Sequence, residues 1–379
     1  MSKLLMQTTL AVLVAGLMLP AARANGASLF VRWQGNPLFA VNPGVHWRSV
    51  HMANAAVLTP AESPDGRWRL FIRGSGHFPE EGSNPDRNYH DSLGLFTQEA
   101  KGFSPYGPWK EHPANPVLFH GPEESYDGLH LLDCAPVWGK SRDGHNEVLY
   151  LYYKGVSRDH HDCLAGAWST NGGISFAKFE TNPLQNGIGP NDVVYHQGSY
   201  YIFYGDAKYD VVRKRNTDRL KIYLAVTPDP TDISRAPRHL AIDVGKPGAF
   251  DSHSVNGARI FRLNGRWFMV YQASAIHFDY PNRFHAAHSS DLVHWTKVEN
   301  AQPLFERGAP GQWDQGAIWF GEVFEHGGAL YLLYEGWGWP GKRLDLNKPY
   351  AKPGRSQTGI ASVSISRFLA WCGLPPKAP

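Results

Sequence analysis

Acidic and amide side chains lie near the start of several apolar stretches in this 379-residue chain. Asp133 begins the segment DCAPVW, Asp192 follows Asn191 in NDVVY, and Glu322 lies in GEVF. Asp and Asn are depleted in β-strands, and carboxylates are rarely buried unless they are paired or functional. Carboxylates that meet from separate strands could divide the roles of acid and base, because burial and mutual repulsion separate their pKa values. Cleavage of a glycosidic bond needs such a pair.

Further polar and aromatic residues near these segments could hold a ligand. Imidazole and amide groups exchange hydrogen bonds with hydroxyl groups, and an indole face can stack on an apolar ring face. The predicted catalytic residues are Asp133, Asp192 and Glu322, and the predicted substrate-binding residues are His51, Asn54, Asp251, His253, Asn256, Asp314, Gln315, Trp319 and Trp337. A structural role is an alternative for each of them. Asp251 and Asp314 could equally cap a turn, because they follow an aromatic residue at a repeated position, as Asp127 does.

A repeated pattern supplies the elements that would position these residues. An alternating apolar stretch, a turn and a Tyr/Trp-rich stretch recur five times, in residues 54–74, 133–155, 191–206, 256–274 and 321–338. Each copy is a hairpin that cannot bury both faces alone, so the repetition indicates an array of stacked units. The 13% aromatic content, 39 Gly and 28 Pro are typical of a turn-rich all-β chain. We therefore predict an all-β, five-bladed β-propeller, in which the innermost strands converge on a central funnel.

The repeat also predicts the domain boundaries. The five blades should cover roughly 47–118, 126–184, 188–245, 250–305 and 313–370, within a single domain of residues 25–379. Residues 28–40 should add a strand that closes the ring, because an open sheet edge is a liability. Loops at 78–88 and 339–354 are long enough to overhang the funnel.

The first 24 residues have the features of a signal peptide. Lys3 precedes the apolar run 9–20, and Ala22-Arg23-Ala24 offers a cleavage site. The run is too short for a membrane span, and no second hydrophobic stretch follows. We expect an exported protein, periplasmic or secreted, that has no membrane span.

Cysteine positions and charge restrict the remaining possibilities. Cys134 and Cys163 should lie on the first and third strands of one blade, roughly 9–10 Å apart, which is too far for a disulfide. The net charge of +3 comes from scattered Lys and Arg, which argues against a nucleic-acid partner. No ligand-spaced cluster demands a metal, so we expect no cofactor, with a structural Ca²⁺ near the axis left open. We expect a monomer.

Several motifs resemble those of a known group of proteins. GSYYIFY and GRWFMVY in the second strands, the segment 289–295 and the Asn-Pro-Leu motifs are similar to the five-bladed propeller glycosidases. These form the arabinanase, invertase and levansucrase superfamily, which includes glycoside hydrolase families 43, 32, 117 and 130. The resemblance implies the propeller fold, an oligo- or polysaccharide substrate and an inverting mechanism.

The resemblance transfers catalytic residues only in part. Family 43 enzymes use an Asp base on the first blade, an Asp on the second and a Glu acid on the third. Here the first blade has His51 and Asn54, and the third has Asp192, so Asp133 on the second blade is the best match. No single family is matched cleanly.

These observations predict an exported glycoside hydrolase. Glu322 is the expected general acid, Asp133 the general base and Asp192 the residue that tunes the pair, while His253 and Asn256 would hold sugar hydroxyls. A non-catalytic carbohydrate-binding propeller is the main alternative. A glycoside phosphorylase is less favoured, because the basic residues Arg73, Lys154 and Arg259 form no recognisable phosphate motif.

Overall fold

The structure is a computed structural model that describes residues 27–77, 89–141, 143–206, 209–210, 215–216, 220–275, 282–338 and 355–375. The predicted signal peptide and the predicted overhanging loops at 78–88 and 339–354 lie outside these residues. The described strands form five main antiparallel sheets, arranged as a five-bladed β-propeller. The predicted fold class is therefore confirmed.

The strands are numbered along the chain, and the first of them belongs to the last blade. Strand β1 is Val31–Arg32, and a 3₁₀ turn at His46–Arg48 precedes blade one. Blade one contains β2 (His51–Leu58), β3 (Trp68–His77), β4 (Tyr89–Gln98) and β5 (Lys110–Glu111). Blade two contains β6 (His130–Lys140), β7 (Glu147–Val156), β8 (Asp162–Ser169), β9 (Ala177–Lys178) and β10 (Gln185–Asn186).

Blade three begins with β11 (Gly189–His196) and β12 (Ser199–Asp206), continues after the small hairpin β13 (Tyr209–Asp210) and β14 (Arg215–Asn216), and ends with β15 (Lys221–Thr227) and β16 (Arg238–Ile242). Blade four contains β17 (Ser254–Leu263), β18 (Arg266–Ser274), β19 (Arg283–Ser289), β20 (Thr296–Lys297) and β21 (Phe305–Glu306). Blade five contains β22 (Ala317–His326), β23 (Ala329–Gly338), β24 (Arg355–Ser364) and β1, and it is followed by helix α1 (Ile365–Trp371).

The innermost strands close a ring around the axis. Strand β2 contacts β6, β6 contacts β11, β11 contacts β17, β17 contacts β22, and β22 contacts β2. The N-terminal strand completes the last blade, because Val31 pairs with Ser362 and Arg32 with Ala361. This confirms the predicted closing strand. In the described part of the chain, no helix is long and apolar enough to cross a membrane.

Each innermost strand is interrupted by a β-bulge. The register shifts lie between Ala53 and Ala56, Leu132 and Ala135, Pro190 and Asp192, Asn256 and Arg259, and Trp319 and Glu322. Asn54 and Asp133 occupy two of these bulges with φ angles of 51° and 53°. Asn and Asp enter this left-handed region more readily than other non-glycine residues. Bulges re-aim side chains at functional sites, and here Asn54 is buried while the Asp133 side chain keeps 17% of its surface exposed.

A charged residue after an aromatic ties four blades to their outermost strands. The ion pairs are Asp127 with Lys178, Asp251 with Lys297, Asp314 with Arg32, and Arg48 with Glu111. Blade one therefore uses the same position with the charges reversed. In blade one, the aromatic residue Trp47 packs against two glycines. A Cβ added at Gly74 or Gly94 would collide with its ring.

Aromatic side chains fill the space between the blades. The second-strand residues Tyr152, Tyr153 and Tyr200 are fully buried, as expected of inter-blade core. Cys134 and Cys163 are free thiols on the first and third strands of blade two. Cys134 donates to the backbone oxygen of Asn54 at 3.1 Å, which joins the bulges of blades one and two.

Candidate active site

Asp133 is held at the axis between a neighbouring bulge and a lysine. Asn54 Nδ2 donates to Asp133 Oδ1 at 3.2 Å, and Lys154 Nζ lies 3.8 Å from Asp133 Oδ2. The Asp133 side chain keeps 17% of its surface exposed. Burial raises the pKa of Asp133, while the charges of Lys154 and Arg73 oppose that rise. Two predicted residues, Asn54 and Asp133, are therefore in direct contact.

A buried arginine connects blade one to blade five beside this pair. Arg73 Nη2 donates to Glu335 Oε1 at 3.0 Å and to Ser356 Oγ at 3.1 Å. Arg73 Nη1 lies 3.7 Å from Asp91 Oδ1. Burial raises the pKa of Glu335 even though Arg73 counteracts it, and the charge of Asp133 adds to the rise. Glu335 therefore interacts electrostatically with Asp133.

Asp91 completes this network from the third strand of blade one. Its Oδ2 lies 2.8 Å from His130 Nδ1, and its Oδ1 accepts a hydrogen bond from Ser75. Burial alone would raise the pKa of Asp91, but Arg73 and His130 outweigh burial and hold this pKa below its usual value. Arg73, Asp91, His130 and Glu335 are called the Arg73 group below.

Aromatic rings surround the Arg73 group. The ring centroid of His51 lies 4.8 Å from that of Tyr89 and 5.1 Å from that of Trp337. Trp337 Nε1 donates to Glu335, and His51 Nδ1 accepts from the backbone nitrogen of Ser356 at 3.1 Å. The structure thus brings the predicted residues His51 and Trp337 together next to Glu335. Trp319, also predicted, is half-buried and pairs with Glu335 in the strand register.

The other two predicted catalytic residues form a separate group with a buried arginine. Arg259 Nη1 lies 3.9 Å from Asp192 Oδ1, and Arg259 Nε lies 3.5 Å from Glu322 Oε2. Asp192 also accepts backbone hydrogen bonds from Val193 at 2.8 Å and Ile260 at 2.6 Å. Asp192, Arg259 and Glu322 come from blades three, four and five and are called the Arg259 group.

Burial dominates the titration of both carboxyls in the Arg259 group. It raises the pKa of Asp192 to about 6 against the opposing charge of Arg259. It raises the pKa of Glu322 well above its usual value, again against Arg259, and the charge of Asp192 adds to the rise. With Glu322 protonated, one guanidinium balances one carboxylate, which is the arrangement expected of a buried trio. The predicted carboxylates are therefore divided between two groups, with Arg259 also interacting electrostatically with Asp133.

Three of the predicted ligand-binding residues have structural contacts instead. Asp251 and Asp314 are buried and paired with Lys297 and Arg32, which belong to outermost strands. Gln315 is fully buried and accepts from the backbone nitrogen of Gly311 at 3.0 Å. Side chains that are buried and paired in this way stabilise the turns before the innermost strands, and the binding role of these three residues stays a prediction. The alternative structural role weighed for Asp251 and Asp314 is the one the contacts support.

Asn256 and His253 lie near the start of blade four. Asn256 Oδ1 accepts from Asn191 Nδ2 at 2.9 Å, and Asn191 Oδ1 accepts from the backbone nitrogen of Ala258 at 3.2 Å. Asn256 thus joins the bulges of blades three and four. His253 is half-buried, and its backbone nitrogen donates to Ser274 at 3.0 Å. Neither residue contacts the Arg73 group through a described hydrogen bond.

Reasoning from the innermost strands missed the Arg73 group. Arg73 and Glu335 lie on second strands, whose aromatic-rich pattern is typical of packing between blades, and Asp91 lies on a third strand. A signal was present, because single charges interrupt the apolar runs LFIRG and LLYEG. A buried charge inside such a run requires a partner, and here the partners come from other strands.

The arrangement offers the groups required for acid–base chemistry on a polar substrate. Asp133 is a partly exposed carboxylate beside a cation, and Glu335 and Glu322 are buried carboxyls with raised pKa values. Among the described residues, no group of three or more His, Cys, Asp or Glu side chains is placed to hold a metal ion.

Comparisons with known proteins identify the fold. No family model matches this chain, and no curated protein matches it. A β-1,2-mannobiose phosphorylase from Listeria innocua shares 14% identity, covers 91% of this chain and 99% of its own, and has a TM-score of 0.61. An N-acetylgalactosamine deacetylase from F. plautii shares 12% identity over 91% and 96% of the two chains, with a TM-score of 0.58.

A third structure is the GH43_1 enzyme from Xanthomonas citri complexed with xylotriose. It shares 12% identity over 86% of this chain and 90% of its own, with a TM-score of 0.52. The structural similarity shows a common fold. At identities this low, the activity has to be argued from the site. The chain has the five-bladed propeller fold found in family 43 glycosidases and related phosphorylases.

Proposed function

We propose that this protein is a glycoside hydrolase that acts on an oligo- or polysaccharide. The observation that carries the proposal is that Asp133 of blade two contacts Asn54 and Lys154 and interacts electrostatically with Glu335 of blade five, which accepts a hydrogen bond from Arg73 of blade one. Carboxyl groups of unequal environment are what glycosidic cleavage uses. Structural neighbours that include a xylotriose complex and a mannobiose phosphorylase support a carbohydrate ligand.

The proposed mechanism is a single displacement. Asp133, in its charged form, takes a proton from a water molecule while the water oxygen bonds to the anomeric carbon. The bond from that carbon to the leaving oxygen breaks, and the leaving oxygen receives a proton from a buried carboxyl group. The product sugar has the inverted configuration.

We assign the proton donor to Glu335 rather than to Glu322. Burial raises the pKa of both glutamates, which favours the protonated form of each. Glu335 accepts a hydrogen bond from Arg73, and the charge of Arg73 also acts on Asp133. Glu335 also accepts a hydrogen bond from Trp337 and pairs with Trp319 in the strand register. Glu322 instead faces Arg259, which also faces Asp192, and the charge of Asp192 acts on Glu322.

Hydrolysis is favoured over transfer to phosphate by the pairing of the basic residues. Arg73 faces Glu335 and Asp91, Lys154 faces Asp133 and Asp162, and Arg259 is fully buried between two carboxyls. A phosphate dianion placed beside any of these cations would also meet a carboxylate, and like charges repel. Export, predicted from the N-terminal segment, would place the reaction outside the cytoplasm.

The proposal is tested by assaying the protein against aryl glycosides and cell-wall polysaccharides, with and without phosphate. We expect phosphate-independent release of sugar, and we expect Asp133→Asn to abolish it while near-UV circular dichroism stays unchanged. Asn is the appropriate replacement, because it accepts the positive φ of this bulge. Turnover only with phosphate would indicate a phosphorylase. Saturable glycan binding without turnover would indicate the non-catalytic alternative.

A further inference from the structure

We propose that Lys154 is a positioning residue that holds Asp133 in its charged form, and that Asp162 limits this effect by competing for the same ammonium group. The inference rests on the proposed function, in which Asp133 must accept a proton from water. It assigns a role to a pair of residues on the second and third strands of blade two, outside the innermost strands.

The ammonium group of Lys154 lies between two carboxylates. Its Nζ is 3.8 Å from Asp133 Oδ2 and 3.3 Å from Asp162 Oδ2. The two carboxylates differ in exposure, because the Asp133 side chain keeps 17% of its surface accessible and Asp162 keeps 46%. An exposed carboxylate is screened by water and interacts weakly, whereas the less exposed Asp133 depends more on its protein neighbours.

The stem of Lys154 is held in place by the next blade. A Cβ added at Gly189 would lie 2.7 Å from Lys154 Cδ and 3.0 Å from its Cβ. The space needed for the lysine stem, rather than an unusual φ angle, therefore accounts for glycine at position 189. A long lysine side chain is normally mobile, and packing its methylene groups against a neighbouring backbone reduces that freedom. The charge is consequently presented to Asp133 in a defined position.

Among the residues that the structure describes, the groups that act on Asp133 come from six other strands. The cations are Lys154, Arg73 and Arg259, the acidic groups are Asp162 and Glu335, and Asn54 donates a hydrogen bond from blade one. The adjacent Cys134 thiol is buried, and burial raises its pKa to about 12, so it stays neutral. Among the cations, Lys154 has the largest effect in lowering the pKa of Asp133, and burial acts in the opposite direction.

This arrangement gives two substitutions with opposite expected effects. Lys154→Met keeps most of the stem and removes the charge, so the pKa of Asp133 should rise by roughly one unit or more. Asp162→Asn removes a negative charge that lies 3.3 Å from the ammonium group and that itself raises the pKa of Asp133, so this pKa should fall. Lys154→Arg keeps the positive charge, so the pKa of Asp133 should stay close to that of the unmodified protein.

The test is a carboxyl-carbon NMR titration of the purified protein, with the Asp133 signal assigned by its loss in Asp133→Asn. This readout needs no substrate. We expect an upward shift in Lys154→Met and a downward shift in Asp162→Asn. Where turnover is found, the acidic limb of kcat/KM should move in the same two directions. A residue that only packs the blade would move neither.

The possible outcomes separate this inference from the proposed function. Unchanged titration in Lys154→Met, or shifts of the same sign in the two variants, would overturn the role of Lys154. The expected shifts together with no turnover of any glycan would retain the charge control and overturn the hydrolase. If Lys154→Met does not fold, Lys154→Gln decides, because it keeps part of the stem and also removes the charge, so the pKa of Asp133 should again rise.

Discussion

The two buried glutamates near the axis differ in their partners. Glu335 accepts hydrogen bonds from Arg73 and Trp337. Arg73 also faces Asp91, which in turn contacts His130. Glu322 contacts Arg259, and its side chain keeps 10% of its surface exposed against 3% for Glu335. Raised pKa values alone cannot separate an acid catalyst from a buried structural carboxyl, because burial raises both. The dependence of activity on the leaving group of the substrate can separate these two roles.

Glu335→Gln should lose activity selectively on substrates whose leaving group requires protonation. We expect kcat/KM to fall by about 10²–10⁴-fold for alkyl or unsubstituted phenyl glycosides, which is the usual contribution of general acid catalysis. Dinitrophenyl glycosides leave without a proton and should be affected far less. The measurement is the dependence of kcat/KM on the pKa of the leaving group.

Glu322→Gln provides the comparison for that experiment. This variant should show the same leaving-group dependence as the unmodified protein, whatever its absolute activity. If the steep dependence develops in Glu322→Gln and not in Glu335→Gln, the proton donor is the residue that the sequence predicted.

At the scale of the strand, the bulges and the anchoring ion pairs explain why certain polar residues recur. Asn54 and Asp133 stand out in the sequence partly because the bulge requires a positive φ, and only then because of their side-chain chemistry. Asp127, Asp251 and Asp314 recur because each pairs with a cation on an outermost strand. The repeated acidic position after an aromatic residue thus has structural contacts in three blades.

The reversed pair in blade one offers a direct test of the anchoring role. Arg48→Asp would place two carboxylates together, since Glu111 lies 2.8 Å from the present guanidinium. We expect this variant to lose about 1–2 kcal/mol of unfolding free energy, because both side chains are partly buried. Adding Glu111→Lys should recover most of the loss by recreating the Asp–Lys pair of blades two and four. The measurement is urea unfolding of both single variants and the double variant.

At the scale of the molecule, the fold was more accessible from the sequence than the site. Hairpins that repeat five times, with alternating apolar residues and aromatic second strands, are sufficient to predict a propeller and its closing strand. The contact between Asn54 and Asp133 could be expected because innermost strands converge. Only the single charges in the runs LFIRG and LLYEG pointed to the Arg73 group. Its pairing could not be predicted, because it depends on how blades one and five meet.

That meeting of the ends depends on a short N-terminal strand, and this gives the last prediction. Arg32 donates to Asp314 Oδ2 at 2.9 Å, and Tyr334 donates to the same oxygen at 3.0 Å. The guanidinium also lies 4.2 Å from the ring centroid of Phe305 in blade four. Arg32→Met keeps the stem but leaves a buried carboxylate without its cation, so about 3 kcal/mol of unfolding free energy should be lost.

The double variant Arg32→Met/Asp314→Asn identifies the cause of that loss. It should recover part of the stability, because the uncompensated charge is then absent. Arg67→Met, which breaks an exposed pair with Glu99, should have little effect in the same urea titration. Since the ring closes through β1, the loss in Arg32→Met should appear as an earlier, still single transition. A separate early transition of blade five would instead mean that the ring stays folded without its closing contact.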